Sequence, residues 1–330
     1  MISKGVGLFP TESPAVMREY THLAERLGYD NVWFGDSQNI WRESSVTMGA
    51  AAVGTDRIVF GTGVTNAVTR HRSVLASSWA TLSELTGGRV ALGIGTGDSS
   101  LRTMGMKPLR LAELERAVAE LRALFRGEEV PEPDSGAAYH LNYVTEPRHI
   151  PIYIAASAPK ILKLAGRIAD GVIVLVGTAS QFVKAALETI EAGARESGRS
   201  LSDLHIVLWT PTAIRDDAED ARDLVRAQVA RVVIRPLPAP ISPGEQAAVD
   251  RIRETYDYYH HMDTEAGHAD LVTKELIDLF SLAGTPEECR ARLKEIAGYG
   301  VDQVSIVPFV PPGESRARTI ETFAEIAEGL

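Results

Sequence analysis

The sequence predicts an α/β fold of the (β/α)₈ TIM-barrel class, and three observations carry that prediction. Short β-branched runs recur along the 330 residues, each is followed by a longer helical pattern, and there are eight of them. The candidate strands are Gly5–Phe9, Asn31–Phe34, Ile58–Thr62, Arg89–Ile94, Ile152–Ala155, Gly171–Leu175, His205–Ala213 and Gln303–Val307. Several are nearly continuous in Val, Ile and Leu, as parallel strands covered on both faces are. Eight such units favour closure over an open sheet.

The helices between them carry recognisable ends. Ser13-Pro14 opens the first, a capping residue followed by proline at the first helical position. Leu23, Ala24 and Leu27 give it an apolar stripe, and Gly28 is placed to close it in the left-handed region. Thr285-Pro286-Glu287-Glu288 starts the last barrel helix, with acids in the first turn favoured by the helix dipole. Leu293, Ile296 and Ala297 form its inner face, with Cys289 packing as a small hydrophobe.

One stretch breaks the rhythm. The chain reads as a single domain, 1–330, with an insertion at 234–284 before the eighth strand. It begins Arg235-Pro236-Leu237-Pro238-Ala239-Pro240, which cannot be regular helix. Helical patterns follow over Glu245–His261 and Leu271–Leu282, and the insertion is expected over the barrel mouth. A smaller excursion covers Glu128–Pro151.

The bulk properties bound the function. A net charge of −10, with Arg116, Arg122 and Arg126 interspersed among acids, argues against nucleic acid as the main partner. No apolar run approaches a membrane span, and the N-terminus lacks the pattern of a secretory signal. The single cysteine suits a reducing, cytoplasmic setting.

In this fold class the site forms at the carboxyl ends of the strands, so the informative residues are those just past each strand. After the second strand comes Gly35-Asp36-Ser37, where Asp36 either accepts a hydrogen bond from a ligand or caps the next segment. After the third, Gly61-Thr62-Gly63-Val64-Thr65-Asn66 allows close backbone approach or a bulge. After the fourth, Gly93-Ile94-Gly95-Thr96-Gly97-Asp98 resembles a dinucleotide fingerprint but puts Asp98 where the last glycine belongs. Asp98 then reads as a carboxylate at the mouth. After the fifth, Ala156-Ser157-Ala158-Pro159 offers small residues and a Ser157 cap at a helix start, a seat for phosphate, with Gly177-Thr178 after the sixth as possible further donors. His260, His261 and His268 lack metal-ligand spacing, and no metal site is predicted.

Taken together, these segments resemble the luciferase-like monooxygenase superfamily, and more narrowly its F420-dependent reductase branch. The stretches that carry the resemblance are Gly61–Asn66 with Thr69-Arg70-His71, Leu82–Gly97 with Asp98, Ile152–Gly171 and Thr285–Glu288. The resemblance implies a homodimeric barrel whose cofactor, coenzyme F420, lies across the strand ends, and a cis peptide at Gly63-Val64. It implies that Asp36, Thr62, Gly63 and Val64 contact the deazaflavin ring, while Ala156, Ser157, Ala158, Gly177 and Thr178 hold the phosphate. Asp98 matches an acid that methylenetetrahydromethanopterin reductases place near their pterin. F420-dependent sugar-phosphate and alcohol dehydrogenases carry a histidine where this chain has Ser37, which argues against both activities. The pterin reductases carry a glutamate at the end of the first strand, where this chain has Leu8-Phe9-Pro10, with Glu12 the nearest acid.

The implied activity is hydride transfer between F420 and a C=C, C=N or C=O of a small molecule, with Asp36 or Asp98 orienting substrate or handling protons. The alternatives are an FMN-dependent monooxygenase on the same barrel and a non-catalytic cofactor carrier.

Overall fold

The computed structural model describes residues 2–132, 135–256 and 269–330. Eight parallel strands, β1 (Ser3–Leu8), β2 (Asn31–Phe34), β3 (Val59–Thr62), β4 (Val90–Gly95), β5 (Ile152–Ala156), β6 (Gly171–Val174), β7 (His205–Ile214) and β8 (Gln303–Pro308), pair in chain order. The ring closes where β8 pairs with β1, Ser3 opposite Gln303 and Val6 opposite Ile306. Each expected strand is present within one or two residues of its predicted ends.

Helices wrap the outside because each presents one apolar stripe to the strands. In α1 (Pro14–Arg26) Ser13 caps Val16 N at 3.4 Å, and Gly28 takes φ +74° just beyond the end, as predicted. Its buried face, however, is Met17, Tyr20, Thr21 and Ala24, a quarter-turn from the predicted stripe, leaving Leu23 and Leu27 half-buried. The capping box of α11 (Pro286–Ala297) forms in both directions, Thr285 Oγ1 accepting from Glu288 N and Glu288 Oε2 from Thr285 N. Cys289 is buried there, and burial pushes its thiol up to about 12.

The barrel interior is filled by Trp33, Ile173, Val207, Trp209 and Val307, a cluster distinct from the larger core between strands and helices. Two indoles fit inside so narrow a ring because glycine faces them. A Cβ on Gly61 would lie 2.4 Å from Trp33, and one on Gly7 or Gly63 would lie 2.5 or 2.4 Å from Trp209. The amino-end of the barrel is closed by Gln303, which accepts from Trp33 Nε1 and donates to Asn31 Oδ1.

Strand β3 departs from a regular ladder. Its residues pair with β4 at Gly61–Ala91, and the chain rejoins β4 at Thr65–Ile94. Three residues of one strand thus stand opposite two of the other, which is a bulge. Thr62 Oγ1 donates to Gly93 O at 2.7 Å across it, and Gly63-Val64 is a cis peptide.

The residues after α8 (Ala218–Val233) differ from the reading of the sequence. Helix α9 (Pro243–Thr255) ends before the predicted His261; residues 257–261 lie outside the described residues, as do all three histidines of that stretch. The expected helix Leu271–Leu282 is broken. Thr273 caps a short α10 (Lys274–Phe280), and Leu282–Gly284 turns into a strand beside Thr212–Ile214. Because β7 runs past the ring, its free edge can take up those three residues, and backbone pairing there overrides their helical pattern. The excursion before β5 holds a two-residue antiparallel ladder, Val130–Pro131 with Ala138–Tyr139. Among the described residues no helix is long and apolar enough to cross a membrane.

Candidate active site

A cavity of about 400 Å³ opens at the carboxyl ends of the strands. Its inner wall is built from Phe9 beyond β1, the bulge residues Gly63–Asn66, Gly95–Ser100 beyond β4 and Ala155–Ala158 at the end of β5. Ile173, Leu175 and Trp209 form an apolar floor. Of the residues expected in the site, Gly63, Val64, Asp98, Ala156, Ser157 and Ala158 line this cavity together, although they are up to ninety-five positions apart in the chain.

Four expected residues stand elsewhere. Thr62 is fully buried, its hydroxyl spent on Gly93 O across the bulge. Asp36 is also buried, one layer behind the wall, where it is ion-paired with Arg70 and accepts from Thr65 Oγ1 at 2.6 Å. Arg70 is held from its other side by Glu43 at 2.8 Å. Asp36 therefore reaches the cavity only through Thr65, and it caps no helix. Thr65 donates its proton to Asp36 and so offers only lone pairs to whatever lies in the cavity.

Gly177 and Thr178 pack under α10 and face away from the cavity. Thr178 N donates to Leu279 O at 2.8 Å and its hydroxyl to Ser281 O at 3.1 Å, satisfying the carbonyls at the end of α10. Gly177 adopts φ +93°, with room for no side chain because a Cβ would sit 2.6 Å from Leu279 O. Both donors of Thr178 are thus spent on the protein.

Ser157 lines the cavity without capping. The N-cap of α6 (Pro159–Ile168) is Ala158, and no side chain satisfies the first turn. Pro159 at the first position has no N–H to satisfy, and Ile161 N donates to Ala158 O at 3.2 Å, which leaves Lys160 N as the donor of that turn open to an anion.

Asp98 occupies an environment the sequence did not foretell. Its Oδ1 accepts from Arg102 Nε at 2.9 Å, and its Oδ2 meets Arg235 at 2.5 Å and Arg231 at 3.5 Å. Burial would raise its carboxyl, but the guanidiniums of Arg235, Arg231 and Arg102 outweigh that and bring it to about 2. Asp98 is thus held as a carboxylate, which suits the orienting part of its expected role better than proton donation. Its folded value lies below its ordinary 3.8, so its ion pairs stabilise the protein above pH 3.8 and are lost as pH falls through about 2. Asp98→Asn is expected to lower the urea midpoint at pH 7 and to flatten its decline between pH 4 and pH 2. An unchanged acid limb would remove Asp98 as its source.

Sequence reasoning missed Arg231 and Arg235. They are four positions apart at the end of α8, where cations are ordinary for the helix dipole, and only the tertiary fold turns their heads inward.

The comparisons with known proteins agree with this architecture. Residues 3–303 match the luciferase-like monooxygenase family. The chain is 32% identical over 326 residues to a 5,10-methylenetetrahydromethanopterin reductase of Archaeoglobus fulgidus, covering 96% of each chain. An F420-dependent glucose-6-phosphate dehydrogenase of Beutenbergia cavernae is 33% identical over 236 residues, 65% of this chain and 68% of that one. The solved structure of coenzyme F420-dependent tetrahydromethanopterin reductase from Methanopyrus kandleri superposes with a TM-score of 0.80 at 27% identity, covering 98% of this chain and 97% of that one. With the closed barrel, the bulged third strand and a cavity at the strand ends all in place, the chain belongs to the luciferase-like monooxygenase family.

Proposed function

We propose that this protein is an F420-dependent oxidoreductase that exchanges a hydride between coenzyme F420 and an electron-poor C=C, C=N or C=O of a small molecule. The observation that carries the reading is the cavity at the strand ends, with small residues where a flat ring needs close approach and an uncapped helix where a phosphate needs donors. Gly63, Val64 and Gly95 give a wall with little side-chain bulk over the Trp209 floor, and Ala156–Ala158 with the first turn of α6 fit an anion. These residues fit a deazaflavin nucleotide. When bound, the cofactor supplies hydride chemistry at its C5 position.

The chain's own residues do the placing. Val64 and the bulge backbone would support the ring face. Thr65, its proton committed to Asp36, would accept from a ring N–H. Asp36 and Arg70 then act as positioning residues behind Thr65. The apolar floor of Ile173, Leu175 and Trp209 would keep water from beside the ring. Titration of the purified protein with F420 and with FMN, followed by absorbance and intrinsic fluorescence, tests the assignment. Saturable F420 binding is expected, and tight binding of FMN alone would replace the reading with that of a flavin monooxygenase.

The same reading makes the chain a single-domain cytoplasmic enzyme, with residues 234–284 inserted over the mouth. Arg235, Pro236 and Tyr256 support this, since all three line the space above the site. It also makes the enzyme a homodimer. Helix α2 (Ser44–Ala52) is apolar or small on every side, a pattern that fits burial all round, yet Val46 stands 68% exposed. Beside it, α3 (Arg72–Thr86) exposes Val74 and Leu85, and Ser45, Gly49, Ser77 and Ser78 leave a shallow groove between the two helices. A second copy on this face would cover it. Val46→Glu combined with Leu85→Glu is expected to convert the dimer to monomer in light scattering with the far-UV spectrum retained. A wild-type monomer at micromolar concentration would end the dimer reading.

A further inference from the structure

The inner cavity opens into a second space of about 540 Å³, lined by Met106, Ile234, Pro236 and Tyr256 on its outer side. The two share Asp98, Ser99, Arg102, Arg231 and Arg235 as a common boundary. Among the described residues Asp98 is the only carboxylate lining either space, against three guanidiniums. Both its oxygens are already engaged, Oδ1 by Arg102 and Oδ2 by Arg235, so that Arg231 finds only a 3.5 Å contact. Arg231 and Arg235 carry five donors each, more than the one carboxylate oxygen they share can accept. This pair, 18% exposed at Arg231 and 30% at Arg235, keeps donors that a further anion in the cavity can take up.

The cluster is also held in place. Arg235 lies one residue beyond the C-cap of α8, and its carbonyl accepts from Arg253 Nη2 of α9 at 2.9 Å. That contact fixes the backbone from which the Arg235 head reaches Asp98, 137 residues away in the chain. A planar guanidinium presents a fork that matches carboxylate and phosphate oxygens, and two of them four positions apart can grip one oxyanion from two sides.

We propose that Arg231 and Arg235 form an oxyanion subsite for the substrate, so that the substrate is an anionic small molecule, a carboxylate or phosphate, with an apolar body lying against Met106, Ile234 and Tyr256. Asp98 bridges the two guanidiniums through one oxygen and is the internal competitor that the substrate's oxyanion partly displaces. This rests on the reading that the inner cavity holds the cofactor, since neither Gly63–Val64 nor Ala156–Ala158 borders the outer space. An oxyanion could also come from the cofactor's own phosphate and glutamyl tail, and the test separates the two sources.

Benzoate and inorganic phosphate serve as probes in isothermal titration of the protein with and without F420. Benzoate is expected to bind saturably in both forms, and Arg231→Gln and Arg235→Gln are each expected to weaken it about tenfold or more, the value of a charge-assisted hydrogen-bond pair. F420 affinity should change less than about twofold in both variants, well under the energy of one such bond. Asp98→Asn, which removes the competitor, should tighten benzoate by about three- to tenfold, within the range of one coupling between neighbouring charges. This gain would still be read if either arginine variant failed to fold, and a merely structural cluster would not show it. Benzoate binding that is absent, or indifferent to all three substitutions, overturns the proposal. So does a loss of F420 affinity in the arginine variants that spares the deazaflavin core lacking phosphate and glutamates, because the oxyanion is then the cofactor's. If wild-type protein binds no F420, the cofactor reading fails by itself, while benzoate binding to the unloaded protein still decides the subsite.

Discussion

Replacing Trp209 by alanine is expected to destabilise the protein by about 3–5 kcal/mol and to abolish tight cofactor binding, the cost of emptying a large aromatic from a packed interior. The indole is 6% exposed and touches the space left by Gly7 on one side and Gly63 on the other. It therefore joins two jobs: it fills the barrel beneath the site, and it forms the floor on which the bulge residues rest. Removing it leaves a void bordered by Val307 and Val64, into which the bulge can sag. Urea unfolding reads the first effect and F420 titration the second. Trp209→Phe, which keeps a ring against both glycines, should recover most of the stability and only part of the binding. An alanine variant with both quantities intact would show that Trp209 supports neither.

Gly93→Ala is the second large effect, and it is expected to cost about 3 kcal/mol or more, beyond ordinary overpacking, because the obstruction is backbone. The added Cβ would lie 1.8 Å from Thr62 O and 3.1 Å from Val64 Cγ1. Nothing flexible stands in its way to move aside, so β3 and β4 must separate where the bulge is pinned by Thr62 Oγ1 and Gly93 O. Gly95→Ala is the control, since its Cβ meets Val64 Cγ2 at 3.2 Å, a side chain that can yield by a few tenths of an ångström, and Ala155 Cβ at an ordinary 3.9 Å. The two variants, compared by urea midpoint, should differ by most of the predicted cost. Equal midpoints would mean that the bulge is not the rigid element described here.

The strands, most helix ends and the place of the cavity at the strand ends were legible because each depends on short-range pattern. Val, Ile and Leu runs form β4 and β6 wherever they are placed, and Ser13-Pro14 or Thr285-Pro286 caps a helix through atoms three residues apart. Where the chain's partners are remote, the sequence was silent or wrong. The breaking of the predicted helix 271–282 needed the free edge of β7, seventy residues earlier. Thr62 and Thr178 carry the right atoms for a ligand, yet a carbonyl on a neighbouring element reaches their hydroxyls first.

By itself the sequence determined a closed eight-stranded barrel, and it named six of the residues that line the cavity at its strand ends. What only the tertiary structure decided is charge and access: that Asp36 lies behind Thr65 in an ion pair, and that Asp98 is locked as an anion by Arg102, Arg231 and Arg235. The reason is physical. Strand and helix formation is governed by neighbours along the chain, whereas a carboxylate's proton affinity is set by whichever charges the fold brings within a few ångströms, and two of the three around Asp98 arrive from more than a hundred residues away.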